Sequence, residues 1–241
     1  KVKIKNITIQ HSGGLNHNAG ILLNSSDNTI SHCQFYQTKS GILIENQSEN
    51  IIKNCIFNKN GEGIFLYHSH KITLQNCNLY QNGLGINIAQ SNTITITNTS
   101  AHTNGIGFFM INSSDLYIDR CAAYNNNDNQ GGFFSESSHH IVLNNSIIAH
   151  NGFGLKISNS HSIDLIQSTV IYNTHAGLLI TDTCYDLNIS SCEITKNLRI
   201  SISIKNSNVS LFQNNIANSI CGIYAEYSHC NAENNWWGSP F

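Results

Sequence analysis

Residues 71–88 read KITLQNCNLYQNGLGINI. Asn-Cys is followed by a hydrophobe between polar residues, then Asn-Gly, then Gly-Ile-x-Ile. The phrase recurs as NIIKNCIFNKNGEGIFL at 50–66 and NTISHCQFYQTKSGILI at 28–44, and in part as LYIDRCAAYNNN from 116 and LNISSCEITKN from 187. A glycine ahead of the apolar pair marks each unit: Gly20, Gly41, Gly63, Gly85, Gly107, Gly132, Gly154, Gly177 and Gly222, with Ser201 in the one missing place. Successive markers lie 21 to 25 residues apart. A fixed period of that length is the signature of a solenoid.

Leucine-rich repeats share the period, but they need L-x-x-L-x-L and a helix-forming second half. Here each unit is polar, β-branched and Asn-rich, with three short period-2 stretches, such as Ile64-x-Leu66, Ile72-x-Leu74 and one around Leu79. Inward positions recur from unit to unit. One column holds Ile21, Ile42, Ile64, Ile86, Phe108, Phe133, Leu155, Leu178, Ile202 and Ile223; another runs from Phe35 and Phe57 through Leu79 to Ile216 and Trp237. The pattern predicts an all-β, right-handed parallel β-helix of about ten rungs with three short strands each, forming one domain over 1–241. Each buried large hydrophobe contributes roughly 1.5–3 kcal/mol. An open rung exposes unpaired backbone, so both ends need covers, and Tyr224, Tyr227, Trp236 and Trp237 are placed to close one. Lys1 begins inside the strand-like VKIKNITI, which suggests trimming or a flanking segment.

The remaining positions read as corners. His32, Asn54, Asn76, Asn98, Arg120, Asn145, Gln167, Ser191, Gln213 and Asn234 precede a column of small residues: Cys33, Cys55, Cys77, Thr99, Cys121, Ser146, Ser168 and Cys192. Asn60, Asn82, Asn104, Asn126, Asn151, Asn173, Asn197 and then Asn218 or Ser219 follow it. Amides at tight bends bond the backbone of their own turn and stack on one another, and the marker glycines are expected to supply positive φ. The eight cysteines read first as a reduced packing ladder, with soft-metal binding near His32 or a Cys221–Cys230 bridge as alternatives.

Charged residues make up 11% of the chain and the formal net charge is −2, which leaves no basic footprint for nucleic acid. No apolar run approaches the ~20 residues of a membrane span. The repeats GILLNSSDNTISHCQFYQT (20–38) and the closing ENNWWGSP (233–240) resemble the β-helix repeats called NosD-like, within the carbohydrate-binding and sugar-hydrolase (CASH) superfamily. The resemblance covers essentially the whole chain. It implies the fold, a carbohydrate connection and an extracellular, cell-surface or periplasmic location; such repeats serve surface proteins, lyases, epimerases and accessory proteins alike. NosD-like proteins are associated with copper delivery, yet this chain has only Met110 and no Met/His cluster. The Asn-Thr-Asp, Asp-Asp and Gly-His-Gly of polygalacturonases are absent. So is the Asp-Pro-His of alginate epimerases, since Pro240 is the sole proline.

Function then falls to outward positions. The strands after the marker glycines, here the first sheet, point Leu22, Leu43, Phe65, Tyr67, Phe109, Phe134, Leu179 and Tyr224 outward, interspersed with Glu45, Glu136, Lys156, Lys205 and Glu226. Outward aromatics in a row call for a ligand: a polysaccharide or glycan bound through Phe65, Tyr67, Phe109, Phe134 and Tyr224, or a protein partner covering the face. The second sheet offers Thr29, Thr73, Gln75, Thr95 and Thr97, an ordinary solvated face. A polysaccharide lyase, hydrolase or epimerase on the first-sheet face is the alternative, and a structural spacer the third reading. Glu136 and Lys156 are the catalytic candidates, although side by side they also read as a surface ion pair. Asp115 with Asp119, and Asp182 with Asp186, read as corners or solvated edges. No cofactor is expected; the one divalent-metal candidate is the pair His139 and His161, one strand spacing apart in a turn column with His70 and His229. The longest unit, 107–131, carries the extra NNNDNQGG, a loop at one edge of the stripe.

Overall fold

The computed structural model describes residues 1–10, 19–127, 129 and 131–238. It is a parallel β-solenoid of three sheets. The first sheet has ten strands from Ala19–Leu23 to Cys221–Glu226; the second has eleven, from Lys3–Lys5 to His229–Asn231; the third has ten, from Thr8–Gln10 to Asn215–Ala217. Each strand pairs with the strand three places on, so one rung contributes one strand to every sheet. Parallel crossovers of this kind wind right-handed. Among the described residues no helix is long and apolar enough to cross a membrane.

Both inward columns are present. Ile64, Ile86, Phe108, Phe133 and Leu155 stand in hydrogen-bonded register and are buried. Phe108 stacks on Phe133 at 4.3 Å, and Phe35 on Phe57 at 4.8 Å, close to the strand spacing of about 4.8 Å. Trp237 keeps its expected column place: the parallel Asn215–Trp236 bridge sets it opposite Ile216, and its ring lies beside Gly222. On the last described rung it is 49% exposed. Ser239 and Pro240 of the closing motif lie outside the described residues.

The corners differ from expectation in an instructive way. Positive φ is carried by the residue before each ladder, as at His32 (55°), Asn54 (54°), Asn76 (52°) and even Arg120 (52°). One left-handed residue turns an extended chain without a loop, and Asn tolerates it best. The marker glycines do not take positive φ. They are required by close approach: a Cβ on Gly85 would sit 2.4 Å from the carbonyl oxygen of Gly107 one rung on, whereas one on Gly222 meets nothing nearer than 3.9 Å.

Each of the three corners carries a buried polar ladder that bonds the neighbouring rung, where bonding within the same turn was expected. In the asparagine ladder, Asn104 Oδ1 accepts from Asn82 N (2.9 Å) and Asn82 Nδ2 (3.1 Å), while Asn104 Nδ2 donates to Leu79 O at 3.0 Å. Ser219 takes the last place: Asn197 N donates to its Oγ at 3.1 Å. Cys77 N donates to Thr99, Cys121 N to Ser146 and Ser146 N to Ser168 in the same manner. The third ladder, Ser69, Ser91, Ser113, Ser138 and Ser160, went unread in the sequence. All eight cysteines are free, Cys221 on the first sheet and Cys230 on the second included. Burial pushes the thiols of Cys55 and Cys192 up to about 11, and those of Cys77 and Cys121 up to about 12.

Three measurements check this architecture. Asn104→Ala strands a buried N–H and a buried carbonyl and should cost about 3 kcal/mol in urea unfolding; Asn76→Ala, which loses a left-handed backbone preference and only a solvent-exposed bond from Nδ2 to Asn54 Oδ1, should cost about 1 kcal/mol. Gly85→Ala should destabilise by about 2 kcal/mol or more from overpacking, while Gly222→Ala leaves the urea midpoint nearly unchanged. A thiol reagent under native conditions should label Cys221 and Cys230 quickly, and the six buried thiols only on unfolding.

Candidate functional site

Because side chains alternate along a strand, the first sheet presents two outward columns. The inner one runs Leu22, Leu43, Phe65, Asn87, Phe109, Phe134, Lys156, Leu179, Ser203 and Tyr224, each in register with the next. Tyr67 belongs to the parallel column Glu45, Tyr67, Ala89, Ile111, Glu136 and Ser158. The predicted aromatics are therefore on one face. Phe65, Tyr67, Phe109 and Phe134 cluster there, while Tyr224 stands apart beyond Lys156, Leu179 and Ser203.

The rings of this face are tilted. Phe109 and Phe134 lie 5.3 Å apart at 48°, and Phe65 and Tyr67 5.9 Å apart at 40°. Tilt leaves part of each ring face free of its neighbour. The third sheet shows the opposite case, which the sequence reading overlooked although its constant spacing was visible. Tyr80, His102 and Tyr124 stack at 5.3 and 4.7 Å with planes 3° and 12° apart. Each ring there covers the next, and burial holds the His102 imidazole below its ordinary range. That stack ties neighbouring rungs of the third sheet together, whereas the tilted rings of the first sheet do not cover one another in this way.

Polar groups interrupt the stripe. Asn87, 8% exposed, donates from Nδ2 to Glu62 Oε1 at 2.8 Å, and Ser40 Oγ donates to Glu62 Oε2 at 2.7 Å. Asn87 Oδ1 is buried without a partner. The expected Glu136–Lys156 ion pair does not form: Glu136 is in register with Ser158, and Lys156 extends along its own column until Nζ lies 4.5 Å from the centre of the Phe134 ring. A cation over an aromatic face is attracted by about 0.5–2 kcal/mol. Asp182 accepts from Ser158 Oγ at 2.9 Å and Thr181 Oγ1 at 2.8 Å. Those hydrogen bonds, from Thr181 first, outweigh desolvation and join the nearby charges of Lys156 and Lys205 in holding its carboxyl below the usual range. Lys156 and Asp182 thus place a cation and an ionised carboxylate at one margin of the stripe.

Asp119 corrects its expected solvated place. It is 6% exposed and accepts from Arg120 Nε, Asn144 Nδ2 and Asn145 Nδ2 at 2.7, 3.0 and 3.2 Å. Burial alone would raise its carboxyl, but these donors and the Arg120 charge bring it below the usual range. Every bond it makes is internal, which marks it as structural. His139 and His161 do meet in register, stacked at 4.8 Å with planes 15° apart, and Tyr185 continues the stack. Stacked imidazoles point their ring nitrogens side by side rather than toward a common ion. Among the described residues no group of three His, Cys, Asp or Glu is arranged to hold a metal. The extra segment in 107–131 leads directly into the strand Gly131–Glu136 that carries Phe134; Asp128 and Gln130 lie outside the described residues.

In fold the chain is similar to the A-module of the mannuronan C-5 epimerase AlgE6 of Azotobacter vinelandii, with a TM-score of 0.78, 14% identity, and coverage of 97% of this chain and 81% of that one. It is similar to the periplasmic alginate epimerase AlgG (TM-score 0.73, 12% identity), covering 86% of this chain and 61% of that chain. It is also similar to a pectate lyase (TM-score 0.64, 14% identity), covering 97% and 70% of the two chains. No curated protein sequence matches the chain significantly. The family model described as "Right handed beta helix region" matches residues 1–130 and 84–236. With a match that spans nearly every rung and a parallel three-sheet solenoid in hand, the chain belongs to the right-handed β-helix family.

Proposed function

We propose that the protein binds a polysaccharide along the inner outward column of the first sheet, at a site centred on Phe109, Phe134 and Lys156. The observation that carries this reading is the tilted Phe109–Phe134 pair, with the Lys156 ammonium over Phe134, in one register line with Leu43, Phe65 and Leu179. Sugar rings present C–H faces that pack on such aromatics, while a few polar groups fix orientation; Glu62, Ser158 and Asp182 stand at the margins. The likeness in fold to proteins named for alginate and pectate supports a glycan over a covering protein chain. Binding of such a polysaccharide supports a location outside the cytoplasm: extracellular, on the cell surface or periplasmic.

Turnover of that polysaccharide is the second reading, and one observation favours it. Lys156 and the ionised Asp182 flank the same stripe, and a cation beside a carboxylate is the minimum needed to move a proton at a sugar carbon. Glu136 stays a candidate in the neighbouring column. Calorimetric titration with alginate, polygalacturonate and a neutral β-glucan tests the first reading. Phe109→Ala, Phe134→Ala and Lys156→Ala should each weaken the bound polymer about tenfold, with thermal melts confirming the fold. The same mixtures, followed by absorbance of unsaturated uronates and by proton NMR for epimer content, test turnover, which Lys156→Ala and Asp182→Asn should abolish. Absence of binding to all three polymers would sink the proposal.

A further inference from the structure

The second sheet was read as an ordinary solvated face, but its first rungs are not ordinary. Lys1, Lys3, Lys5, His32 and Lys53, together with Thr29 and Ser31, line a shallow cavity of about 410 Å³. Among the described residues no carboxylate lines it; Asp27 pairs with Lys1, 3.1 Å from its Nζ. The register sets the geometry. Lys5, Ser31 and Lys53 are consecutive in one outward column, and Lys3, Thr29 and Ile51 in the other. Lys3 and Lys5 are thus roughly 6.6 Å apart along the strand, and Lys5 and Lys53 about 9.6 Å apart across two strand spacings. Four of the twelve Lys and Arg side chains of a chain with net charge −2 gather here. Like charges at such spacing repel one another unless an anion joins them.

Lysines on an outer strand also deter strand addition. That reason covers Lys3 and Lys5 but not Lys53 or His32, which sit on inner rungs. Beyond the cavity both columns continue as hydroxyl and amide groups: Gln75 and Thr97 in one, Thr73, Thr95 and the exposed Tyr117 in the other. The next carboxylate in line, Asp119, is buried and engaged. Cations giving way to hydrogen-bonding groups over several rungs fit a long, hydroxyl-rich, negatively charged polymer. We infer that this face of the second sheet is an anion-binding surface for an acidic polysaccharide, separate from the aromatic stripe. Nucleic acid fits less well, for the net charge is −2 and the columns beyond the cavity carry hydroxyls and amides rather than further cations along a phosphate backbone.

Affinity electrophoresis of the whole chain in gels containing polygalacturonate, neutral dextran or double-stranded DNA tests the inference. Polygalacturonate should retard the protein, dextran should not, and retardation should fade as salt rises. Reversal of the exposed cations in Lys3→Glu/Lys5→Glu/Lys53→Glu should weaken the interaction by about tenfold or more. The neutral Lys3→Gln/Lys5→Gln/Lys53→Gln variant should fall between the two, with unchanged thermal melts. Phe109→Ala/Phe134→Ala should retain the salt-dependent part, which separates this surface from the stripe. Equal retardation of wild type and reversed variant overturns the inference, as does no retardation at low salt, equal retardation by dextran, or tighter binding of DNA than of polygalacturonate.

Discussion

The structure depends on one constraint: each rung satisfies its backbone hydrogen bonds on the rungs beside it, in fixed register. From Lys3–Lys5 to His229–Asn231 the pairing is parallel and advances by whole rungs. Equivalent residues are therefore held one strand spacing apart, and every position becomes a column. A side chain succeeds only if it can stack on its own kind. Phenylalanine does so inside, as Phe108 on Phe133, and asparagine does so at corners, where one amide both accepts from the rung before and donates back to it. The buried polar ladders follow from the same rule. Backbone groups at a sharp corner cannot pair within a sheet, and an unpaired buried group is costly.

Register also governs what the surface can do. On a solenoid wall, recognition is linear: neighbouring subsites are neighbouring rungs, and a polymer lying across the rungs meets the same kind of group repeatedly. Columns of rings on this wall differ in their angle. Tyr80, His102 and Tyr124 lie flat on one another and consume their faces, whereas Phe109 and Phe134 are tilted and leave theirs partly free. Asn87 breaks the stripe, and Lys156 ends its aromatic part with a charge over Phe134. The same rule bears on the histidines. Register brings His139 and His161 together, but as stacked rings rather than converging ligands.

Much of this was written plainly in the sequence. A repeat that recurs ten times reports its own structure, because each column shows its chemistry ten times over: Ile64, Ile86 and Phe108 could only be inward, and Asn82, Asn104 and Asn126 could only be corners. The three-sheet fold and the membership of Phe65, Phe109 and Phe134 in one line were legible for that reason. What stayed hidden concerned contact between columns. The marker glycine suggested a left-handed turn, but its role is the 2.4 Å approach of the next rung's carbonyl oxygen, which no single unit displays.

Sequence by itself thus determined the period, the columns and which side of the wall each side chain faces, since alternation and repetition are local properties of the chain. Tertiary structure decided how far side chains reach sideways. It took Lys156 from Glu136 to Phe134, buried Asp119 beneath Arg120, Asn144 and Asn145, and gathered Lys3, Lys5 and Lys53 around one cavity. Those outcomes depend on rotamers and on spacing across rungs, where residues some 20 or more positions apart in the chain stand a single strand spacing apart in space.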